Sequence, residues 1–145
     1  MFKKILIIDD EENILRSLEM ILKSEGFIVF KAANLKQGRE LLQKDHFPFI
    51  ILDVMLPDGD GINFIPEIRK ISTSSILIMI SGHANLQMAV DATRKGADDF
   101  LEKPLSKDKL LITINNFEKR LLLEQKYADL TSWKYLNIFC FINYQ

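Results

Sequence analysis

Short runs of apolar residues recur at residues 5–8, 27–30, 49–52, 76–80 and, more weakly, 100–101, with no polar alternation inside them. A strand that faces protein on both sides has no reason to alternate, so these runs fit a parallel sheet covered on both faces. The segments between them carry helical spacing instead. Ile14, Leu15, Leu18, Ile21 and Leu22 make one stripe before Gly26, and Leu35, Leu41 and Leu42 make a second. Ile62, Ile65 and Ile68 form a third, and Met88, Ala89 and Ala92 a fourth that ends at Gly96. A fifth begins near Ser106, with Asp108 in its first turn, and continues through Leu110, Leu111, Ile114 and Phe117. Strand and helix alternating five times over specify a doubly wound α/β sandwich.

Two places fit this pattern poorly. Pro66 lies beyond the free first turn of the third helix, where its ring and missing N–H predict a late start or a bend. After about residue 120 the periodicity weakens. Positions 110, 114, 117, 121 and 128 keep a heptad-like stripe that Glu124 interrupts, so helix pairing is an option there. Residues 131–145 mix Trp133, Tyr135, Phe139, Phe141 and Tyr144 without a helix or strand period and are expected to be irregular. The division expected is therefore a domain over 1–120 and an extension, linker and tail over 121–145.

A length of 145 residues suits one compact domain, and a net charge of −1 supplies no electrostatic basis for binding nucleic acid or a membrane. The single cysteine, Cys140, rules out an intramolecular disulfide framework; it reads as an unreactive residue in an apolar segment. Only four apolar residues separate Lys4 from Asp9, too few for a secretory signal, and no apolar stretch approaches the roughly 20 residues that cross a bilayer. The expectation is a soluble, cytoplasmic protein.

In open α/β sheets, ligands bind outside the carboxyl ends of the strands. Asp9-Asp10 end the first run, Asp53 the third and Ser81-Gly82 the fourth, while Lys103-Pro104 follow the fifth. Each has an ordinary reading by itself: a helix cap, a turn carboxylate, a loop dipeptide, a strand exit. Together they suit phosphoryl transfer. Carboxylates about 4 Å apart repel by on the order of 4 kcal/mol per pair at an effective dielectric of about 20, so such a cluster attracts a hard divalent cation. Mg²⁺ takes one or two carboxylates, waters and phosphate oxygens. Asp53 would be the nucleophile, forming an acyl phosphate, with Lys103 and Ser81 meeting phosphoryl oxygens. His46 and His83 have no partners at metal-ligand spacing and read as loop histidines; Phe100 reads as core on composition.

The segments Ile7-Ile8-Asp9-Asp10-Glu11, Leu52-Asp53, Leu56-Pro57-Asp58-Gly59-Asp60-Gly61, Ile80-Ser81-Gly82 and Lys103-Pro104 resemble the receiver domain of bacterial two-component response regulators. Ser81-Gly82-His83-Ala84 and the stretch from Gly96 to Pro104 look most like receivers of the nitrogen-regulation type, which precede an AAA+ ATPase module and a DNA-binding domain. The resemblance implies a flavodoxin-like (CheY-like) sheet of order 2-1-3-4-5. It makes Asp53 the acceptor of a phosphoryl group from a sensor histidine kinase. It has Asp10, Asp53 and the Met55 main-chain carbonyl hold Mg²⁺, with Asp9 acting through water. It implies a cis peptide before Pro104. Ser81, Phe100 and Pro104 become switch residues, which replaces the core reading of Phe100.

Phe100 lacks the hydroxyl of the tyrosine common in that position, so a switch built on a phenol hydrogen bond is not expected. The implied partners are the kinase and a second copy, the latter through the fourth helix, fifth strand and fifth helix or through the C-terminal helix. No direct nucleic-acid contact is expected of this chain. No output domain follows residue 120, which fits a shortened regulator or a stand-alone receiver. Two competing readings are an aspartate-based phosphohydrolase of the haloacid-dehalogenase type and a pseudo-receiver that no longer uses phosphate. The first wants its nucleophile in an Asp-x-Asp motif after the first strand, with a cap insertion. The second is disfavoured by the intact acidic cluster and Lys103.

Overall fold

A computed structural model describes the backbone of residues 3–143 and the side chains of residues 3–131. The long strands are β1 (Lys4–Ile8), β2 (Ile28–Ala32), β3 (Phe49–Asp53), β6 (Ile76–Ser81) and β7 (Asp99–Glu102). A two-residue hairpin, β4 (Met55–Leu56) and β5 (Gly59–Asp60), is inserted after β3. The long strands form one parallel sheet of order β2-β1-β3-β6-β7. Leaving the hairpin out of the count, this is the 2-1-3-4-5 order expected.

The central strands β1, β3 and β6 are buried along nearly their whole length, which is why their sequences do not alternate. Alternate side chains still divide between two faces. Leu6, Ile8, Ile50, Leu52, Leu77 and Met79 share one core cluster with residues of α2 (Leu35–Lys44), α3 (Gly61–Ile71) and α4 (Leu86–Lys95). The buried Leu18 and Leu22 of α1 (Glu12–Ser24) lie outside that cluster and cover the opposite face, where Phe27 meets Phe49 edge-on at 5.9 Å. Each fully buried aliphatic side chain contributes about 1.5–3 kcal/mol relative to exposure.

Side-chain caps fix where three helices begin. Asn34 accepts from Gln37 N–H at 2.8 Å, Asp60 from Ile62 N–H at 2.8 Å, and Asn85 from Met88 N–H at 2.9 Å. The Asp60 cap decides the fate of Pro66. α3 starts at Gly61 and runs through Pro66 to Ile71, so the late start expected from the proline is not found. Pro66 is exposed, and its missing N–H deprives only the carbonyl of Ile62 of a helical partner.

The lower rim of the sheet, where the strands begin, is tied together by Arg69 at the end of α3. Its guanidinium donates to the carbonyls of Ser75 and Gly96 at 2.7 and 2.6 Å, and to Asp98 at 3.0 Å. Asp98 in turn accepts from Leu77 N–H at 2.8 Å.

Residues from Ser106 onward form a separate unit. It is a single helix, α5 (Lys107–Asn143), whose first turn is capped by Ser106 Oγ accepting from Lys109 N–H at 3.1 Å. The irregular tail expected from residue 131 is therefore corrected: helix continues to Asn143. No glycine or proline occurs after Pro104, so nothing in the sequence stops the helix. The side chain of Cys140 lies outside the described residues. Among the described residues, no helix is long and apolar enough to cross a membrane.

Candidate functional site

Parallel register brings the chemistry-bearing residues to one rim. Ile8 pairs with Leu52, Asp53 with Ile80, and Ser81 with Glu102, so the carboxyl ends of β1, β3, β6 and β7 finish level. Main-chain bonds continue the ladder for one more residue, from Asp9 N–H to Ala32 at 3.0 Å and from Lys103 N–H to Ser81 at 2.8 Å. The Lys103–Pro104 peptide is cis. The residues line a cleft of about 240 Å³ bounded by Asp10, Glu11, Asp53, Met55, Ser81, Gly82, His83 and Lys103.

Lys103 is the electrostatic centre. Its Nζ lies 2.8 Å from Asp9 Oδ2, 3.2 Å from Asp53 Oδ2 and 3.2 Å from Glu11 Oε1. Burial by itself would lower the Lys103 pKa, but its contacts with Asp9 and Asp53 outweigh this and raise it, so the group is a fixed cation. The Asp53 pKa is also raised, to about 6, which for a carboxylate favours the neutral form. Burial is the main cause and the Asp9 charge adds to it; Lys103 and the Met55 N–H, 3.4 Å from Asp53 Oδ1, pull it back in part.

The acidic trio fits a hard cation. Oxygens of Asp9, Asp10 and Asp53 all lie within 4.8 Å of one another. Asp9 Oδ1 accepts from Glu11 N–H at 2.8 Å, but the fully buried Oδ2 receives no hydrogen bond. Its 2.8 Å contact with Lys103 is an ion pair by distance without a hydrogen bond's angle. One ammonium against several carboxylates leaves net negative charge in the cleft, and that buried oxygen still lacks a donor. Both features suit a divalent ion bound by oxygen ligands.

Asp9, Asp10, Asp53, Ser81 and Lys103 come together on this rim, and Phe100 lies within β7 opposite Met79. Ser81 is buried, and its hydroxyl accepts from His83 N–H at 3.1 Å. Phe100 is half-buried against the core cluster, one strand position before Leu101. Asp10 and Met55 are exposed at the mouth. Gly82 has open space where a Cβ would sit, which keeps the entrance clear.

Three contributors were not assigned from the sequence. Glu11 looked like an extension of the acidic pair, yet it reaches Lys103. Asp58 looked like a turn residue, but its carboxylate accepts from Leu35 and Lys36 N–H at 2.9 and 3.0 Å, clasping the hairpin to the start of α2. Gly61 must be glycine because a Cβ there would overlap the main-chain carbonyl oxygen of Asp53. An Asp-Gly-Asp-Gly string after a buried carboxylate is the one signal that could have pointed to the last two.

Only residues 9–11 separate β1 from α1, so the cap insertion that the phosphohydrolase alternative wants after the first strand does not occur there.

Known proteins agree with the geometry. Residues 5–115 match the model of the response regulator receiver domain. A putative NtrX-like response regulator of Rickettsia bellii is 37% identical over 130 residues, covering 88% of this chain but 27% of that protein. The chain thus spans about a quarter of that relative's length. A CheY-like receiver domain protein from Methanospirillum hungatei superposes with a TM-score of 0.81 at 32% identity, covering 84% of this chain and 98% of its own. The beryllofluoride-activated NtrC4 receiver domain dimer gives 0.76 at 44% identity, covering 80% and 95%. With family model, relatives and fold in accord over most of its length, the chain belongs to the response regulator receiver domains.

Proposed function

We propose that this receiver is switched by phosphorylation of Asp53, with a sensor histidine kinase as donor. The observation that carries the reading is the placement of Lys103 Nζ within 3.2 Å of the Asp53 carboxylate and 2.8 Å of Asp9, at the sheet edge where ligands bind. Asp53 supplies the attacking oxygen. Lys103 holds an oxygen of the arriving phosphoryl group, and the Ser81 hydroxyl turns from His83 N–H to hold another. Asp10, Asp53 and the Met55 carbonyl would hold Mg²⁺, with Asp9 contributing through water. The ion, when bound, offsets the charge of the phosphoryl group and orients it.

Phosphorylation adds roughly −1.5 to −2 charge where a buried, partly neutralised carboxylate stood. Ser81 moves toward the new oxygens, and Phe100 repacks on the side of the sheet that Ser81 vacates. The face of α4 and β7 changes with it, a population shift between two states. That face or the α5 helix then pairs with a second copy. The receiver occupies residues 1–120, works in the cytoplasm, and acts as the input module of a transcriptional regulator without itself touching nucleic acid.

The direct test is incubation with Mg²⁺ and acetyl phosphate followed by peptide mapping. Phosphate on Asp53 and none on Asp53→Asn is the expected result. Labelling elsewhere, or no labelling, refutes the assignment.

A further inference from the structure

Lys103 is surrounded by one more acid than phosphoryl transfer needs. An ammonium has three N–H donors, and Asp9, Asp53 and Glu11 occupy its surroundings at 2.8, 3.2 and 3.2 Å. The three partners are not equivalent. The side chains of Asp9 and Asp53 are 0% and 6% exposed, whereas that of Glu11 is 59% exposed. Glu11 is also the N-cap position of α1, yet its side chain makes no cap bond and extends to Lys103 instead.

Resting on the reading of Asp53 as phosphoacceptor, we propose that Glu11 is a positioning residue. It latches Lys103 in the resting state and must release it before Lys103 can meet an incoming phosphoryl group. Lys103 hydrogen-bonds Glu11 and Asp53 and is held to Asp9 by charge, so a phosphoryl oxygen arriving on Asp53 competes with the carboxylates already around the ammonium. The contact that yields is the one whose carboxylate water can rehydrate, and only Glu11 stands at the solvent edge. With acetyl phosphate as donor, the bond from phosphorus to the acetyl oxygen breaks and acetate leaves with the electron pair. An Asp53 oxygen forms the new bond to phosphorus, and no proton is transferred. Glu11 touches none of these atoms. Its effect is confined to the approach, and it has no contact left to lose once the phosphoryl group is in place.

The latch predicts a split between two rates. Glu11→Gln should speed the initial labelling of Asp53 by acetyl phosphate at saturating Mg²⁺ by about two- to fivefold, the range for loss of a partly exposed ion pair. Decay of the aspartyl phosphate after donor removal should be unchanged. Glu11→Asp keeps the charge but is one methylene short, and should behave like Glu11→Gln. Glu12→Gln removes an adjacent exposed charge, paired with Arg16 at 2.8 Å, and should label at the wild-type rate. Glu11→Asp matching wild type, or Glu12→Gln matching Glu11→Gln, would reduce the effect to bulk charge and overturn the latch. An unchanged labelling rate in both Glu11 variants overturns it too. Wild-type protein that takes no phosphoryl group on Asp53 would instead sink the underlying reading.

Discussion

Asp53 meets two opposed demands. It is buried, which pushes its pKa up to about 6, yet the proposed attack on phosphorus and cation binding both require it ionised. An acid whose pKa is raised by folding binds its proton more tightly when folded. The folded state therefore has this contribution in full below the ordinary carboxylate range, about 3.9, and loses it as pH rises through about 6. Without Mg²⁺, Asp53→Asn should be more stable than wild type above pH 6, by on the order of 1–3 kcal/mol, with the gap closing toward about pH 4. Urea titrations of the two proteins across that range check it. Mg²⁺ affinity, followed by calorimetry, should fall as pH drops through about 6, because protons and cation compete for the same oxygens. Asp9, Asp10, Asp53, Ser81 and Lys103 were legible as a group because each closes an apolar run. Glu11 was not, because a solvent-edge acid beside two others carries no spacing signal of its own.

Helices and strands were legible to within a few residues wherever burial dictated the pattern, and failed where a local contact or a missing stop decided. Pro66 argued against an early start for α3, but the Asp60 cap and the fixed entry at Gly61 outweigh it. Gly61→Ala should lower stability by about 1–3 kcal/mol, since the overlap with the Asp53 carbonyl can be relieved only by moving backbone. Circular dichroism during urea unfolding measures that loss, and weakened Mg²⁺ binding should accompany it. The Asp58 clasp joins two elements that the sequence leaves unconnected, 22 and 23 positions apart. Asp58→Ala should loosen the start of α2, raising amide hydrogen exchange at Leu35 and Lys36.

On the largest scale, the sheet order followed from family resemblance and the layers from periodicity, whereas the length of α5 was underestimated because aromatic residues masked the lack of a breaker. The exposed Leu123, Tyr127 and Leu130 are spaced four and three apart, one stripe along the helix. If this stripe is the contact with a second copy, Leu123→Glu with Leu130→Glu should abolish self-association in analytical ultracentrifugation without altering phosphorylation of Asp53. At the opposite rim from the acidic cleft, Arg69 bonds the carbonyls of Ser75 and Gly96 and the carboxylate of Asp98, joining the entries to β6 and β7. A beam clamped at one end deflects only at the other. If Ser81 moves on phosphorylation, that clamp holds the entries to β6 and β7, and the displacement is expected at the Ser81 end of the strands.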